Sequence, residues 1–131
     1  MRRALKRRVA LSGAFLLLAA GCDQRQLKGR DYTVHAQVVQ PPGSASDLYI
    51  YHEAIDDWVN RDGKMEGMDA MAMSYPVARG VPLAGIQAND KVEVTVHVDW
   101  GADTPAEITR VRKLPPDTQL VFRAAKPPRN P

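Results

Sequence analysis

The chain of 131 residues contains one cysteine, three histidines and eight aromatic residues, and its longest apolar run is only twelve residues. A single cysteine excludes an intramolecular disulfide. A run of twelve is too short for a transmembrane helix, which needs about twenty apolar residues. No serine stands in a nucleophile motif, and no histidine–carboxylate pair can be read from the spacing. The sequence therefore predicts a protein that is not an enzyme.

The N-terminal segment has the pattern of a bacterial export signal. Residues 1–8 carry five basic side chains, and the apolar run follows at 9–20. The run leads into LAAGC, which is similar to a lipoprotein processing site with cleavage before Cys22, although an alanine stands where such signals more often have leucine. We predict a signal peptide over residues 1–21, lipidation of Cys22 and a polar tether over 22–30. An ordinary secretory peptide or a simple N-terminal anchor is the alternative.

Processing at Cys22 would also change the charge balance. Five of the 18 basic residues would leave with the signal, so the mature chain would carry 13 basic and 15 acidic side chains, a net charge of −2. The sequence thus predicts no nucleic-acid partner. Acyl chains on Cys22 would hold the protein at a membrane, since each buried methylene adds about 0.8 kcal/mol. We expect a monomeric, membrane-anchored lipoprotein of the periplasm or cell envelope.

Between residues 31 and 113 the apolar positions recur with a period of two. Five runs carry this pattern or a strong β-preference: YTVHAQVVQ (32–40), DLYIYHE (47–53), AMAMSYPV (70–77), KVEVTVHVDW (91–100) and AEITRVRKL (106–114). In the last run Ile108 and Val111 are out of strict step. Five antiparallel strands favour an all-β, OB-type barrel, because closure removes exposed edges; a small β-sandwich is the alternative. Residues 114–131 are predicted to form a partly disordered tail.

Four of the five methionines lie within nine residues: Met65, Met68, Met71 and Met73. Met71 and Met73 are two apart, so on a strand both point to one face, about 7 Å apart. If the flanking strands pair, His52 faces the same region. Two thioethers and an imidazole form a soft, neutral ligand set, which selects Cu(I). Methionine also fills gaps in cores, so the spacing alone leaves a metal site and core packing both open.

The segments YHEAI, GMDAMAMSYPV and GIQANDKVEVTVHVD together resemble the CusF-like periplasmic copper-binding family, which are small OB-fold proteins that carry Cu(I) or Ag(I). The likeness spans about residues 32–112. In that family the metal is held by a histidine in an H-E/D-x-I segment and by two methionines of an M-x-M pair. The resemblance assigns these roles to His52, Met71 and Met73.

The sequence departs from that family pattern at two places. The best-known members cap the metal with a tryptophan three residues before the M-x-M pair, where this chain has Met68. The resemblance therefore makes Met68 a third thioether ligand. The loop after His52 is longer and contains Trp58, which is a candidate cap through a cation–π contact or else a hydrophobic plug for the loop. Met65 is an accessory ligand at most.

The resemblance implies a metallochaperone that binds Cu(I) and passes it to a partner by ligand exchange. It leaves two destinations open, a copper efflux pump component or oxidase assembly alongside Sco-type proteins. A different class of function is a non-metal OB-type lipoprotein that acts as a protein-interaction module, with methionines at its interface. A third, an envelope hydrolase, requires an activity that survives chelation and loss of the methionines.

Overall fold

The computed structural model describes residues 29–43 and 46–129, and five antiparallel strands form its single sheet. The strands are β1 (Arg30–Gln40), β2 (Asp47–His52), β3 (Met71–Pro76), β4 (Lys91–Val98) and β5 (Ala106–Lys113). Each strand overlaps the run that predicted it, and the described ranges contain no helix. The prediction of an all-β protein with five antiparallel strands is confirmed. The predicted signal peptide and Cys22 lie outside the described residues.

The sheet has the order β3-β2-β1-β4-β5, and its two outer strands approach each other at one point. Val77, just after β3, forms a single parallel bridge with Ile108 of β5. The Ala78 N–H donates to the Ile108 carbonyl oxygen at 2.8 Å. The sheet is therefore curled so that its edges touch, but no continuous ladder closes it. This arrangement is a partly open five-stranded barrel.

The core fills the inner face of the curled sheet. In β4 the valines at 92, 94, 96 and 98 are buried, and the polar residues between them are half-exposed, as the alternation predicts. The same face carries these buried side chains from the other strands: Tyr32, Val34, Ala36, Val38, Leu48, Ile50, Tyr75 and Ile108. Burying one aliphatic side chain of this size contributes roughly 1.5–3 kcal/mol. The core thus stabilises the sheet that positions the β2–β3 edge.

A bulge in β5 explains why its apolar residues are out of step. Val94 pairs with Val111 and Val96 pairs with Ile108, so β5 contains one residue more than β4 between these pairs. A bulge of this kind lets two side chains three apart share one face of the sheet. Ile108 is fully buried, and Val111 packs against the core beside it. The irregular pattern is therefore a strand with an inserted residue.

Candidate metal site

The long loop between β2 and β3 extends the two strands as an irregular hairpin. Ile55 and Met68 exchange both main-chain hydrogen bonds, at 2.9 Å each, and Val59 bridges Met65 farther out. These pairings hold the two arms of the loop together and return Met68 toward the end of β2. The sequence predicted that this loop lies between the second and third strands and brings His52 at its start near the methionines at its end, but it did not predict these pairings within the loop.

The tip of this hairpin is a tight turn around Asn60. The Asn60 side-chain oxygen accepts the N–H groups of Asp62 at 2.9 Å and Lys64 at 3.0 Å. Gly63 has a φ of +79°, a conformation that residues with a Cβ rarely adopt. An asparagine whose side chain binds the backbone, followed three residues later by a glycine, therefore lets the chain reverse direction here. The arm that carries Met65 and Met68 then runs back toward the barrel.

The register between β2 and β3 places the predicted ligands on one face. His52 lies directly opposite Met71, Ile50 opposite Met73, and Leu48 opposite Tyr75. Cross-strand neighbours have Cβ atoms about 5 Å apart. The pairing on which the histidine–methionine hypothesis depended is therefore present.

The hydroxyl group of Tyr75 lies among three of the predicted donor atoms. Its oxygen is 3.5 Å from Nε2 of His52, 3.4 Å from Sδ of Met73 and 4.0 Å from Sδ of Met68. His52 and Tyr75 are both buried, whereas Met68 and Met73 are half-buried. The structure thus brings one imidazole nitrogen and two thioether sulfur atoms together around a single oxygen atom.

His52 presents a lone pair toward this cluster. Its Nδ1 lies 2.7 Å from the carbonyl oxygen of Glu53. A carbonyl only accepts hydrogen bonds, so Nδ1 carries the proton and Nε2 is the free acceptor. Burial lowers the pKa of His52 below its ordinary value of 6.5, against a smaller opposing effect of the Glu53 hydrogen bond. The imidazole is therefore neutral at pH 7, the form that coordinates metals.

Met71 and Met65 lie outside this cluster. Met71 is 41% exposed, and together with Trp58, Met68 and Asp69 it lines an open hollow beside the site. Met71 is thus at the rim of the site, opposite His52 in the strand register. Met65 is paired with Val59 on the far part of the hairpin.

Trp58 is buried in an aromatic cluster at the base of the hairpin. Its ring lies 4.9 Å from that of Tyr32 and meets Trp100 edge-on at 6.0 Å. The Trp100 Nε1–H donates to the Val59 carbonyl at 3.2 Å, and the Tyr32 hydroxyl accepts the Val59 N–H at 3.0 Å. Only part of Trp58 reaches the hollow, so its contacts are those of a hydrophobic plug.

Tyr75 is the residue of this cluster that sequence reasoning missed. Burial raises its pKa to about 12, so the hydroxyl keeps its proton and can donate a hydrogen bond. The signal for it was present, because Tyr75 continues the alternation of Met71 and Met73 and so faces the same side. A tyrosine in such a run is also a common core residue, and only the structure shows where its hydroxyl points.

The chain beyond β5 returns to the site as a C-terminal strap, which we define as residues 114–129. The Phe122 ring meets Tyr51 edge-on at 4.4 Å. The Arg123 guanidinium binds both carboxylate oxygens of Asp56 at 2.8 Å, and the Lys126 N–H donates to the same carboxylate. The boundary predicted at residue 113 thus marks the end of β5, but the contacts with the barrel continue to Lys126.

The strap also holds the arm that carries Met68. The Ala70 N–H donates to the Arg123 carbonyl at 2.9 Å, and Asp69 accepts the Ala125 N–H at 2.7 Å. A Cβ on Gly67 would lie only 2.7 Å from the Ala125 side chain, so glycine permits this close approach. The strap therefore joins the segment after His52 to the segment on either side of Met68.

We expect acid to release the strap before the barrel unfolds. The Arg123 guanidinium and the Lys126 N–H lower the pKa of Asp56 from 3.8 to about 2. The stabilisation is therefore complete above pH 3.8 and is lost as the pH falls through 2. Amide hydrogen exchange is expected to show that Lys126 loses protection over this range while Val94 in β4 keeps it.

The matched variants for this prediction are Asp56→Asn and Asp57→Asn. Asp57 is the exposed neighbour of Asp56, so its replacement is expected to leave the Lys126 amide protected at pH 6. The Asp56→Asn chain is expected to lack that protection at the same pH. Equal protection of Lys126 in both variants would contradict the role given to the Asp56–Arg123 pair.

No protein-family model, curated protein sequence or solved structure matches the chain. Among residues 29–43 and 46–129, no group of three or more histidine, cysteine or carboxylate side chains is arranged to hold a metal ion. The donor atoms that meet in the site come from one histidine and two methionines. Within the same ranges, no helix has the length and apolar character to cross a membrane.

Proposed function

We propose that the protein is a Cu(I) carrier of the cell envelope that holds the ion through His52, Met73 and Met68, with Met71 at the rim. The observation that carries the proposal is the convergence of Nε2 and two sulfur atoms on the Tyr75 hydroxyl. Each of these side chains comes from a different point in the chain, and the β2–β3 register with the hairpin return brings them together.

The chemistry of the donors favours Cu(I) over harder cations. Thioether sulfur is a soft ligand that prefers Cu(I), whereas calcium and magnesium take oxygen ligands. All the proposed donors are neutral, since His52 is deprotonated at Nε2 and methionine carries no charge. Ag(I), which is also a soft monovalent ion, fits the same set. Asp56 and Asp69, which flank the site in the chain, are bound to Arg123 and to the Ala125 N–H of the strap.

The exposure of Met71 at one side of the site supports transfer as well as binding. Met71 is exposed at the rim, and the hollow beside it opens to solvent. Methionine has three rotatable side-chain bonds, so an exposed thioether can change position at low energetic cost. A partner with soft ligands could therefore replace the donors one at a time, starting from this side. An efflux pump component and an oxidase assembly protein both remain candidate partners. Lipid anchoring of the carrier through Cys22 is part of the same proposal.

The test is an anaerobic Cu(I) titration of the full chain, purified in detergent, against a competing Cu(I) chelator. The wild-type chain is expected to hold one equivalent, and Met71→Leu/Met73→Leu is expected to lose it. Leucine conserves the volume of methionine, a change that usually costs less than about 1.5 kcal/mol, so the barrel is retained while two sulfur atoms are removed.

Met65→Leu is the matched control, since it removes a thioether from the same hairpin outside the site. It is expected to bind Cu(I) as the wild-type chain does. Met68→Leu leaves His52, Met73 and the rim residue Met71 as donors. We therefore expect this variant to bind Cu(I) more weakly but not to lose binding. A wild-type chain that does not compete with the chelator, or a double variant that binds normally, would leave the interaction module as the better hypothesis.

A further inference from the structure

The Tyr75 hydroxyl has one proton and three acceptors within reach. Nε2 of His52, 3.5 Å away, is by its chemistry the strongest acceptor, because thioether sulfur accepts hydrogen bonds only weakly; Sδ of Met73 lies at a similar distance of 3.4 Å. A neutral imidazole has a single lone pair on its unprotonated nitrogen. That lone pair can accept the hydroxyl proton or bind a metal ion, but it cannot do both.

We propose that Tyr75 is a positioning residue that competes with Cu(I) for the Nε2 lone pair and so limits the affinity of the site. The inference rests on the proposed function and concerns the same site. In the protein without metal, the hydroxyl donates its single proton to Nε2 of His52, and the sulfur atoms of Met73 and Met68 lie beside the same oxygen. When Cu(I) binds Nε2, the hydrogen bond between Tyr75 and His52 is lost.

Burial gives this exchange an energetic cost. Tyr75 is only 2% exposed and His52 is fully buried, so water has little access to either group. A buried polar group that loses its partner costs more than one that can turn to water. The hydroxyl is then left with the two weaker sulfur acceptors, Met73 and Met68, both of which are also proposed ligands of the ion. Cu(I) binding therefore works against a hydrogen bond that the fold has placed in the site.

The competition suits a carrier, which has to release its ion as well as bind it. As a partner removes Cu(I) from His52, the Tyr75 hydroxyl can donate its hydrogen bond to the Nε2 lone pair that the ion leaves. The buried imidazole nitrogen is then never left without a partner during transfer. The same hydrogen bond keeps the Nε2 lone pair directed at the Tyr75 oxygen, beside which both sulfur atoms lie, so the donor set remains assembled for another ion.

The test compares Tyr75→Phe with the wild-type full chain in the chelator competition. Phenylalanine keeps the ring and removes only the hydroxyl. We expect the Kd for Cu(I) to fall by about threefold to tenfold, the range that corresponds to the loss of one competing hydrogen bond. Without metal, we expect the same variant to unfold at a lower urea concentration than the wild type, because Nε2 has lost its partner.

Opposite changes in affinity and stability separate this role from a purely structural one, which would lower both. Tyr32→Phe is the matched control, since Tyr32 is also buried and its hydroxyl is hydrogen-bonded to Val59 away from the donor atoms. It is expected to reduce stability and leave the Kd unchanged. An unchanged or higher Kd in Tyr75→Phe overturns the inference while the wild-type chain still binds. A wild-type chain that takes up no Cu(I) overturns the proposed function as well.

A spectroscopic measurement on the unchanged chain covers the case in which Tyr75→Phe does not fold. One equivalent of Cu(I) is expected to shift both the nitrogen-15 signal of His52 Nε2 and the signal of the Tyr75 hydroxyl-bearing carbon. A shift at His52 with no change at Tyr75 would show that the hydroxyl does not compete with the ion, and would overturn the inference.

Discussion

Replacing His52 by alanine is expected to lower the affinity for Cu(I) by at least about 100-fold. Removing a group that merely orients a metal ligand already costs 10–100-fold in affinity, so the loss of the ligand itself should exceed that range. His52 supplies the only nitrogen among the donors that converge in the site. The measurement is the same chelator competition, followed with one equivalent of Cu(I) under anaerobic conditions.

The fold must be checked in the same experiment, because His52 is fully buried. Its loss leaves a cavity and an unused Glu53 carbonyl, so we also expect the free energy of unfolding to fall by about 1–3 kcal/mol. His52→Gln removes the imidazole but conserves the side-chain volume better than alanine does. It therefore tests whether affinity is lost because the imidazole is missing or because a cavity forms.

His35→Ala is the matched histidine control. His35 lies on the outer face of β1, 3.3 Å from the Glu93 carboxylate, and its side chain is partly exposed. Removing it takes away an imidazole without touching the donor cluster. Equal affinities in the His52→Ala and His35→Ala chains would contradict the proposed site.

Ile108→Ala is expected to cause the largest loss of stability, about 2–5 kcal/mol. The side chain is fully buried, and large-to-small replacements in cores cost this much because the cavity collapses only partly. Ile108 also stands where β5 meets the segment after β3, with its carbonyl accepting the Ala78 N–H. Equilibrium unfolding in urea, followed by far-UV circular dichroism, gives the free energy of unfolding.

Two further replacements set the scale for that measurement. Ile108→Val removes one methylene and should cost about 0.5–1.5 kcal/mol. Val121→Ala changes a strap side chain that is 58% exposed, and its effect should stay within about 0.5 kcal/mol. If Ile108→Ala were no more destabilising than Val121→Ala, the edges of the sheet would not depend on the packing at Ile108.

The positions of the strands could be predicted from the sequence because their signal is local. Alternation in β4 alone determines which valines are buried, since successive side chains of a strand point to opposite faces. The parity of Met71 and Met73 likewise placed both on one face. Once β2 and β3 are taken as neighbours, both methionines face the same side of the sheet as His52; the register places Met71 directly opposite His52 and Met73 opposite Ile50.

The remaining features depended on contacts between residues far apart in the chain. The bulge that puts Ile108 and Val111 on one face exists because β5 must pair with β4. The strap has no alternation to mark it; its position depends on Asp56 and Asp69 meeting Arg123 and Ala125, which lie 56 or more residues away. A polar contact of this kind leaves no periodic trace in a sequence.

For the site itself, the sequence determined the types of donor and the face on which two of them lie. Tertiary structure decided which donors converge: the hairpin pairing at Ile55 returns Met68 to the site, whereas Met71 stays at the rim. It also decided that the Tyr75 hydroxyl lies among them. The physical reason is that residue types and strand parity are local properties, whereas distances between side chains are set by how strands and loops pack together.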